Sequence, residues 1–168
     1  IWDIADNERR DFVKEDISYL YRGLVLGLRD YCNKLGSKEI LLGLSGGVDS
    51  TLAACIATDA VGSDNVLAVS NHSRYTSKES RDDADKLVKN LGIRCRNMPI
   101  DNLFKAYINE FNEDGKPSYD LAEENVQARI RGDIWMFISN REGQLVISAS
   151  NKSELHVGYT TMYGDMCC

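Results

Sequence analysis

Two histidines in 168 residues leave too little imidazole for a His-rich metal centre. The five cysteines (Cys32, Cys55, Cys95, Cys167 and Cys168) are odd in number and show no C-x-x-C spacing. Neither a disulfide framework nor a zinc site is therefore expected. Cys55, on an apolar helix face, and Cys95, within a strand, read instead as small buried hydrophobes. No apolar run approaches the roughly 18 residues of a membrane span, and no secretory leader is expected. The expectation is a soluble cytoplasmic protein with no membrane partner. No basic block offsets the net charge of −6, so nucleic acid is not an expected partner either.

What is present is ordinary for one globular domain: 43 % hydrophobic and 27 % charged residues in a chain long enough to bury a core. Residues 1–14 are polar and charged, and read as a lead-in or linker ahead of a domain over 15–168. Apolar residues at Ile17, Leu20, Leu24, Leu28, Tyr31 and Leu35 have helical spacing, closed by Gly36 as a C-cap. Gly23 and Gly27 weaken that helix and point to close packing against a neighbour.

Short apolar runs predict strands at 39–44, 65–70, 93–98 and 144–149, with helices at about 49–60, 78–91, 101–112 and 120–140. Thr76 with Glu79, and Asp120 with Glu123, have the spacing of helix-initiating caps. The alternation predicts an α/β, Rossmann-like fold: a parallel sheet with helices on both faces and right-handed crossovers. Ligands of such sheets bind beyond the carboxyl ends of the strands, at the loops 45–50, 70–77, 99–101 and 149–154. The segment 112–119 reads as a mobile surface connection.

The most informative segment is Leu41-Leu-Gly-Leu-Ser-Gly-Gly-Val-Asp-Ser-Thr51, an apolar strand entering a glycine turn and then a helix. Such a turn converges backbone N–H groups on one point, and the helix dipole adds to them. A P-loop would carry lysine before its final hydroxyl, but Asp49 stands there. An acid beside phosphate needs a divalent cation between them, so the turn suits a magnesium-bridged nucleotide. That chemistry belongs to enzymes that split ATP between its α and β phosphates.

Three further features border the expected ligand edge. Arg74, in the loop 70–77, could close over a phosphate or stand solvated. On the helix carrying Glu-Glu-Asn-Val-Gln-Ala-Arg-Ile-Arg-Gly (123–132), Asn125, Arg129 and Gly132 share one face and Arg131 points elsewhere. In Ser-Ala-Ser-Asn-Lys-Ser-Glu (148–154), Glu154 reads both as a second oxygen ligand for the cation and as the N3 acid of a helix cap.

Taken together, Ser45-Gly46-Gly47-Val48-Asp49-Ser50, Ser73-Arg74-Tyr75-Thr76-Ser77-Lys78-Glu79-Ser80, Glu124-Asn125-Val126-Gln127-Ala128-Arg129-Ile130-Arg131-Gly132, Asn151-Lys152-Ser153-Glu154 and the run Val157–Met166 resemble the synthetase domain of NAD+ synthetases. The likeness runs from about Tyr21 to Met166, and the Tyr21–Tyr31 lead-in is most similar to the glutamine-dependent branch. The Ser-Gly-Gly-x-Asp-Ser turn alone marks only the wider ATP-pyrophosphatase group, which includes GMP and asparagine synthetases.

The resemblance implies that ATP adenylates the carboxylate of deamido-NAD (nicotinic acid adenine dinucleotide) and that ammonia displaces AMP to form NAD+. It implies no side-chain nucleophile. By matching position, Gly43, Leu44, Ser45, Gly46, Gly47, Val48, Asp49 and Ser50, with Arg74, would hold ATP; Asp49 and Glu154 would ligate Mg2+; Asn125 and Arg129 would contact deamido-NAD. It also implies a homodimer or higher homo-oligomer, and ammonia delivered free or from a glutaminase domain upstream. Three departures stand out: Ala149 replaces a threonine that would contact the nucleotide, Met162 replaces a substrate-binding lysine of the ammonia-dependent branch, and the family pattern continues past Cys168 into a further strand, a catalytic lysine and more substrate contacts. GMP synthetase-like chemistry and an inactive nucleotide-binding fragment are the alternative expectations.

Overall fold

Four short strands, β1 (Ile40–Gly43), β2 (Val66–Ser70), β3 (Arg94–Asn97) and β4 (Leu145–Ile147), pair in parallel in the order β3-β2-β1-β4 in the computed structural model, which describes residues 16–74 and 76–168. The lead-in over 1–14 lies outside the described residues. Six helices connect and flank the strands: α1 (Ile17–Leu35), α2 (Val48–Val61), α3 (Lys78–Leu91), α4 (Asp101–Phe111), α5 (Leu121–Glu142) and α6 (Lys152–Val157). The doubly covered parallel sheet follows the expectation, with boundaries shifted by a residue or two.

Side-chain alternation on the central strands builds two cores. Ile40 and Leu42 of β1, with Val66 and Ala68 of β2, pack against Cys32 of α1, Ala54 and Ala57 of α2 and Ala84 of α3. On the opposite face Leu41, Leu67 and Val69 meet Phe104 and Ile108 of α4 and Ile130, Ile134 and Ile138 of α5. Both faces of β1 and β2 are thus dry, which is why these strands read as continuous apolar runs. The chain lays β2 and β3 on one side of β1 and returns to place β4 on the other. That reversal opens a crevice at the carboxyl ends of β1 and β4, where ligands of such sheets bind.

The caps explain most helix boundaries. Gly36 closes α1 in the left-handed conformation at φ 69°, and Asp120 starts α5 by accepting from Glu123 N. At α3 the cap is Ser77, which accepts from Ser80 N, rather than Thr76. Thr76 Oγ1 is taken by Ser73 N, closing a turn one residue earlier.

Several local expectations are corrected. Strand β3 is polar and exposed, Cys95 included, because it is a sheet edge; Arg94 and Arg96 pair there with Glu39 and Glu142. Among the described residues, nothing beyond its own helix backbone lies within 4 Å of a Cβ placed on Gly23 or Gly27. Helix α1 turns Val25 and Cys32 inward, and leaves Ile17, Leu20, Leu24, Tyr31 and Leu35 exposed. The 112–119 connection is tied down: the buried Glu123 carboxylate accepts from Asn112 Nδ2, Ser118 N, Ser118 Oγ and Tyr119 N. Burial alone would raise that carboxyl, but the four donors hold it at about 2, below the ordinary 4.5. Among the described residues no helix is long and apolar enough to cross a membrane.

Candidate active site at the carboxyl edge of the sheet

The turn after β1 is built from its own hydroxyls. Ser45 Oγ lies 3.0 Å from Ser50 Oγ and accepts from Gly47 N at 3.2 Å, while Ser50 Oγ donates to Gly47 O at 3.0 Å. Gly46 sits at φ 84°, and a Cβ there would stand 2.2 Å from the backbone oxygen of Ser80. Only glycine meets both demands, a left-handed backbone and contact with the first turn of α3. Gly47 is the N-cap of α2 but supplies no side-chain acceptor, so the first N–H groups of α2 have no protein cap. They face the same edge as the turn and suit an anionic ligand.

The turn opens onto a cavity of about 700 Å3 at the β1/β4 crevice. Its walls are the ends of β1 (Gly43–Ser45), β2 (Val69–His72) and β4 (Ile147–Ser150), the first turns of α2 and α3, and one stripe of α5. The volume falls within the range of small-molecule sites. Gly43 is held small by packing as well as by ligand access: a Cβ there would stand 2.1 Å from Cζ2 of Trp135.

Asp49 and Glu154 meet at this cavity through Asn151. The Asn151 backbone N–H donates to Glu154 Oε2 at 3.1 Å, and Asn151 Nδ2 donates to Asp49 Oδ2 at 3.4 Å. Asn151 Oδ1 in turn accepts from Glu154 N at 2.9 Å, a reciprocal capping box that starts α6. Both sequence readings of Glu154 are therefore compatible: one oxygen serves the cap, and Oε1 accepts no hydrogen bond from the described residues. The same is true of Asp49 Oδ1. Two carboxylates with spare oxygens fit Mg2+, which takes one or two protein carboxylates and completes its shell with phosphate and water. Among the described residues no group of three His, Cys, Asp or Glu forms a cage that would bind a metal without such help.

Helix α5 presents two neighbouring faces. Asn125, Arg129 and Gly132 share one, as expected, and the chain itself occupies much of it. Thr161 Oγ1 donates to Asn125 Oδ1 at 2.8 Å, Arg129 Nε donates to Met162 O at 3.3 Å, and a Cβ on Gly132 would lie 2.8 Å from the oxygens of Tyr163 and Gly164. Asn125 also lines the cavity; Arg129 does not. The stripe that borders the cavity is Leu121, Glu124, Asn125, Ala128, Arg131 and Trp135. Arg131 therefore borders the cavity from the second face, away from the Asn125, Arg129 and Gly132 face as expected.

Arg74 is also off the cavity. It is exposed, and its Nε pairs with Asp101 Oδ1 at 3.3 Å. Nearby, Asn71 and His72 line the cavity in its place. Ala149 lies between Ser148 and Ser150, whose hydroxyls are 3.1 Å apart, so this wall keeps hydroxyls on both sides of the missing threonine. Asn71, Trp135 and Asp165 were not singled out from sequence. The available signal was the i, i+3, i+4, i+7 repeat from Leu121 to Trp135, which marks one continuous face.

A family model for NAD synthase matches residues 20–168. The glutamine-dependent NAD(+) synthetase of Aquifex aeolicus is 50 % identical over 148 residues, covering 88 % of this chain and 26 % of that protein. Among solved structures, the glutamine-dependent NAD+ synthetase of Acinetobacter baumannii, in complex with ADP, superposes with a TM-score of 0.86 at 42 % identity, covering 91 % of this chain and 29 % of that one. The NH3-dependent NAD synthetase of Campylobacter jejuni gives 0.81 at 30 % identity, covering 89 % and 63 %. The chain spans about a quarter of the length of the curated relatives it matches.

Proposed function

Because the chain belongs to the NAD synthase family, we propose that it forms the ATP-consuming core of an NAD+ synthetase. In this reading ATP binds with its phosphates at the Ser45–Ser50 turn, held by the uncapped N–H groups of the first turn of α2. The carboxylate of deamido-NAD attacks the α-phosphate, and pyrophosphate leaves. Ammonia then attacks the acyl carbon and AMP departs, giving the amide of NAD+ and a proton. No side-chain nucleophile is required, because the substrate carboxylate and ammonia are the nucleophiles.

The observation that carries this reading is the pairing of Asp49 with Glu154 across Asn151, at the mouth of the glycine turn. A bound Mg2+ would screen the charge between an anionic nucleophile and an anionic phosphate. Asp49 and Glu154 would hold it through Oδ1 and Oε1. The chain's own contribution is positioning: a rigid turn, a dry wall from Trp135 and Ala84, and fixed dipoles aimed at the phosphates. A contact between Arg129 and the dinucleotide is supported by its exposed guanidinium, which among the described residues donates only through Nε.

The protein acts as an intracellular homodimer in this proposal. Support for self-association comes from the exposed Leu155, Val157, Tyr159, Met162 and Tyr163, which leave apolar surface along the 155–163 segment. Two experiments test the whole. Pyrophosphate release from Mg-ATP is stimulated by deamido-NAD and not by xanthosine monophosphate, and NAD+ accumulates when ammonia is supplied. Release indifferent to deamido-NAD overturns the assignment. Light scattering gives the mass of two chains if the dimer is correct.

A further inference from the structure

Arg131 and Trp135, one turn apart on α5, are both anchored to Asn71 at the end of β2. Arg131 Nε donates to the Asn71 carbonyl at 3.2 Å, and the Trp135 indole N–H donates to Asn71 Oδ1. Asn71 is itself buried and donates from Nδ2 to Met98 O at 3.0 Å. The arginine stem is thus held by a residue that is fixed on three sides, so its guanidinium has little freedom.

That guanidinium is short of partners. Among the described residues, Arg131 takes part in no ion pair and its two Nη groups donate to no atom. It is half-buried, and that burial pulls its pKa below the ordinary arginine value. A desolvated cation with its planar donors unused is costly unless an anion meets it. Arg131 lies where the main cavity meets a second one of about 380 Å3, and Thr76 and Glu124 border both. The carboxylates that also line the main cavity stand beyond ion-pair distance from it.

We propose that Arg131 is the anion receptor of this cavity, donating through its Nη groups to a phosphate oxygen of the nucleotide or to the carboxylate oxygen of the acceptor. The inference rests on the synthetase reading above and names the residue of that site which meets the ligand's charge. Nη pairs of this kind make two parallel bonds to a phosphate or carboxylate, a geometry that lysine cannot copy.

The test is calorimetry on the full chain with Mg-ATP, deamido-NAD, NAD+ and adenosine, comparing wild type with Arg131→Gln and Arg131→Lys. Arg131→Gln weakens the charged ligand about tenfold or more and leaves adenosine unchanged; Arg131→Lys recovers only part. Loss with Mg-ATP assigns the phosphate. Loss with deamido-NAD but not NAD+, which lacks the carboxylate, assigns the acceptor. Unchanged affinity for both charged ligands overturns the inference, as does an equal loss of adenosine, which would mean a structural role. Should the Gln variant not fold, arginine modification by phenylglyoxal on the wild type decides: Arg131 is protected by one of the two charged ligands, and protection by neither overturns the proposal. A wild type that binds no ligand ends the synthetase reading and this inference together. Wild-type binding with Arg131 unprotected ends this inference alone.

Discussion

Asp49 and Asn151, 102 residues apart in sequence, meet at the mouth of the glycine turn, where the Asn151 amide donates to the Asp49 carboxylate at 3.4 Å. This contact joins the first turn of α2 to the loop after β4. The same asparagine holds the Glu154 carboxylate through its backbone N–H, so one residue, by side chain and backbone together, sets the spacing of the two candidate magnesium ligands.

Replacing Asp49 by Asn keeps the size and the hydrogen-bonding capacity but removes the charge. Magnesium-dependent pyrophosphate release should fall about a hundredfold or more, because an electrostatic contact at the reacting phosphate is lost. Stability should barely change. Near wild-type release in this variant would remove Asp49 from the metal site.

Asn151→Ala should act twice. Loss of the cap destabilises by about 1 kcal/mol in urea titration. Asp49 also loses its Nδ2 donor, while the backbone N–H that Glu154 accepts from remains, so the magnesium concentration needed for half-maximal activity should rise. A change in stability with an unaltered magnesium dependence would separate the cap from the metal site.

The glycines divide into opposite predictions. Gly43→Ala drives a methyl into the Trp135 indole, where overpacking costs about 1–3 kcal/mol. Trp135 fluorescence should shift with it. Gly23→Ala on the exposed part of α1 meets nothing within 4 Å and should stabilise by about 0.5–1 kcal/mol. Thermal melts of the two variants should move in opposite directions.

Glu123 supplies a pH test. Its folded pKa of about 2 lies below the ordinary 4.5, so the folded state holds its proton less tightly than the unfolded chain. Its contribution to stability is therefore complete above about pH 4.5 and is lost as pH falls from there towards 2. Glu142, held at about 2 by Arg96 and Gln144, acts in the same direction. The urea midpoint of Glu123→Gln should lie below wild type at neutral pH and converge on it in acid. A gap that stays constant down to pH 2.5 would contradict the assignment.

The amino-acid sequence alone determined the alternation of strands and helices, because Leu41, Leu42, Val66 and Val69 are apolar runs that only a doubly covered sheet can bury. It also determined the glycine turn and its acid, since backbone conformation and local charge lie within six adjacent residues. Tertiary structure decided which residues face the cavity. Arg131 and Arg129 differ by two positions on one helix, and periodicity puts them on different faces without saying which face meets a ligand. What packs on α5 decided that: the 159–166 segment takes up the Arg129 face, while Asn71 draws Arg131 over the end of β2. Likewise the edge position of β3 left Cys95 exposed, because burial of a strand depends on its neighbours in the sheet and not on its own residues. Contacts between distant segments are long-range events, and no local pattern encodes them.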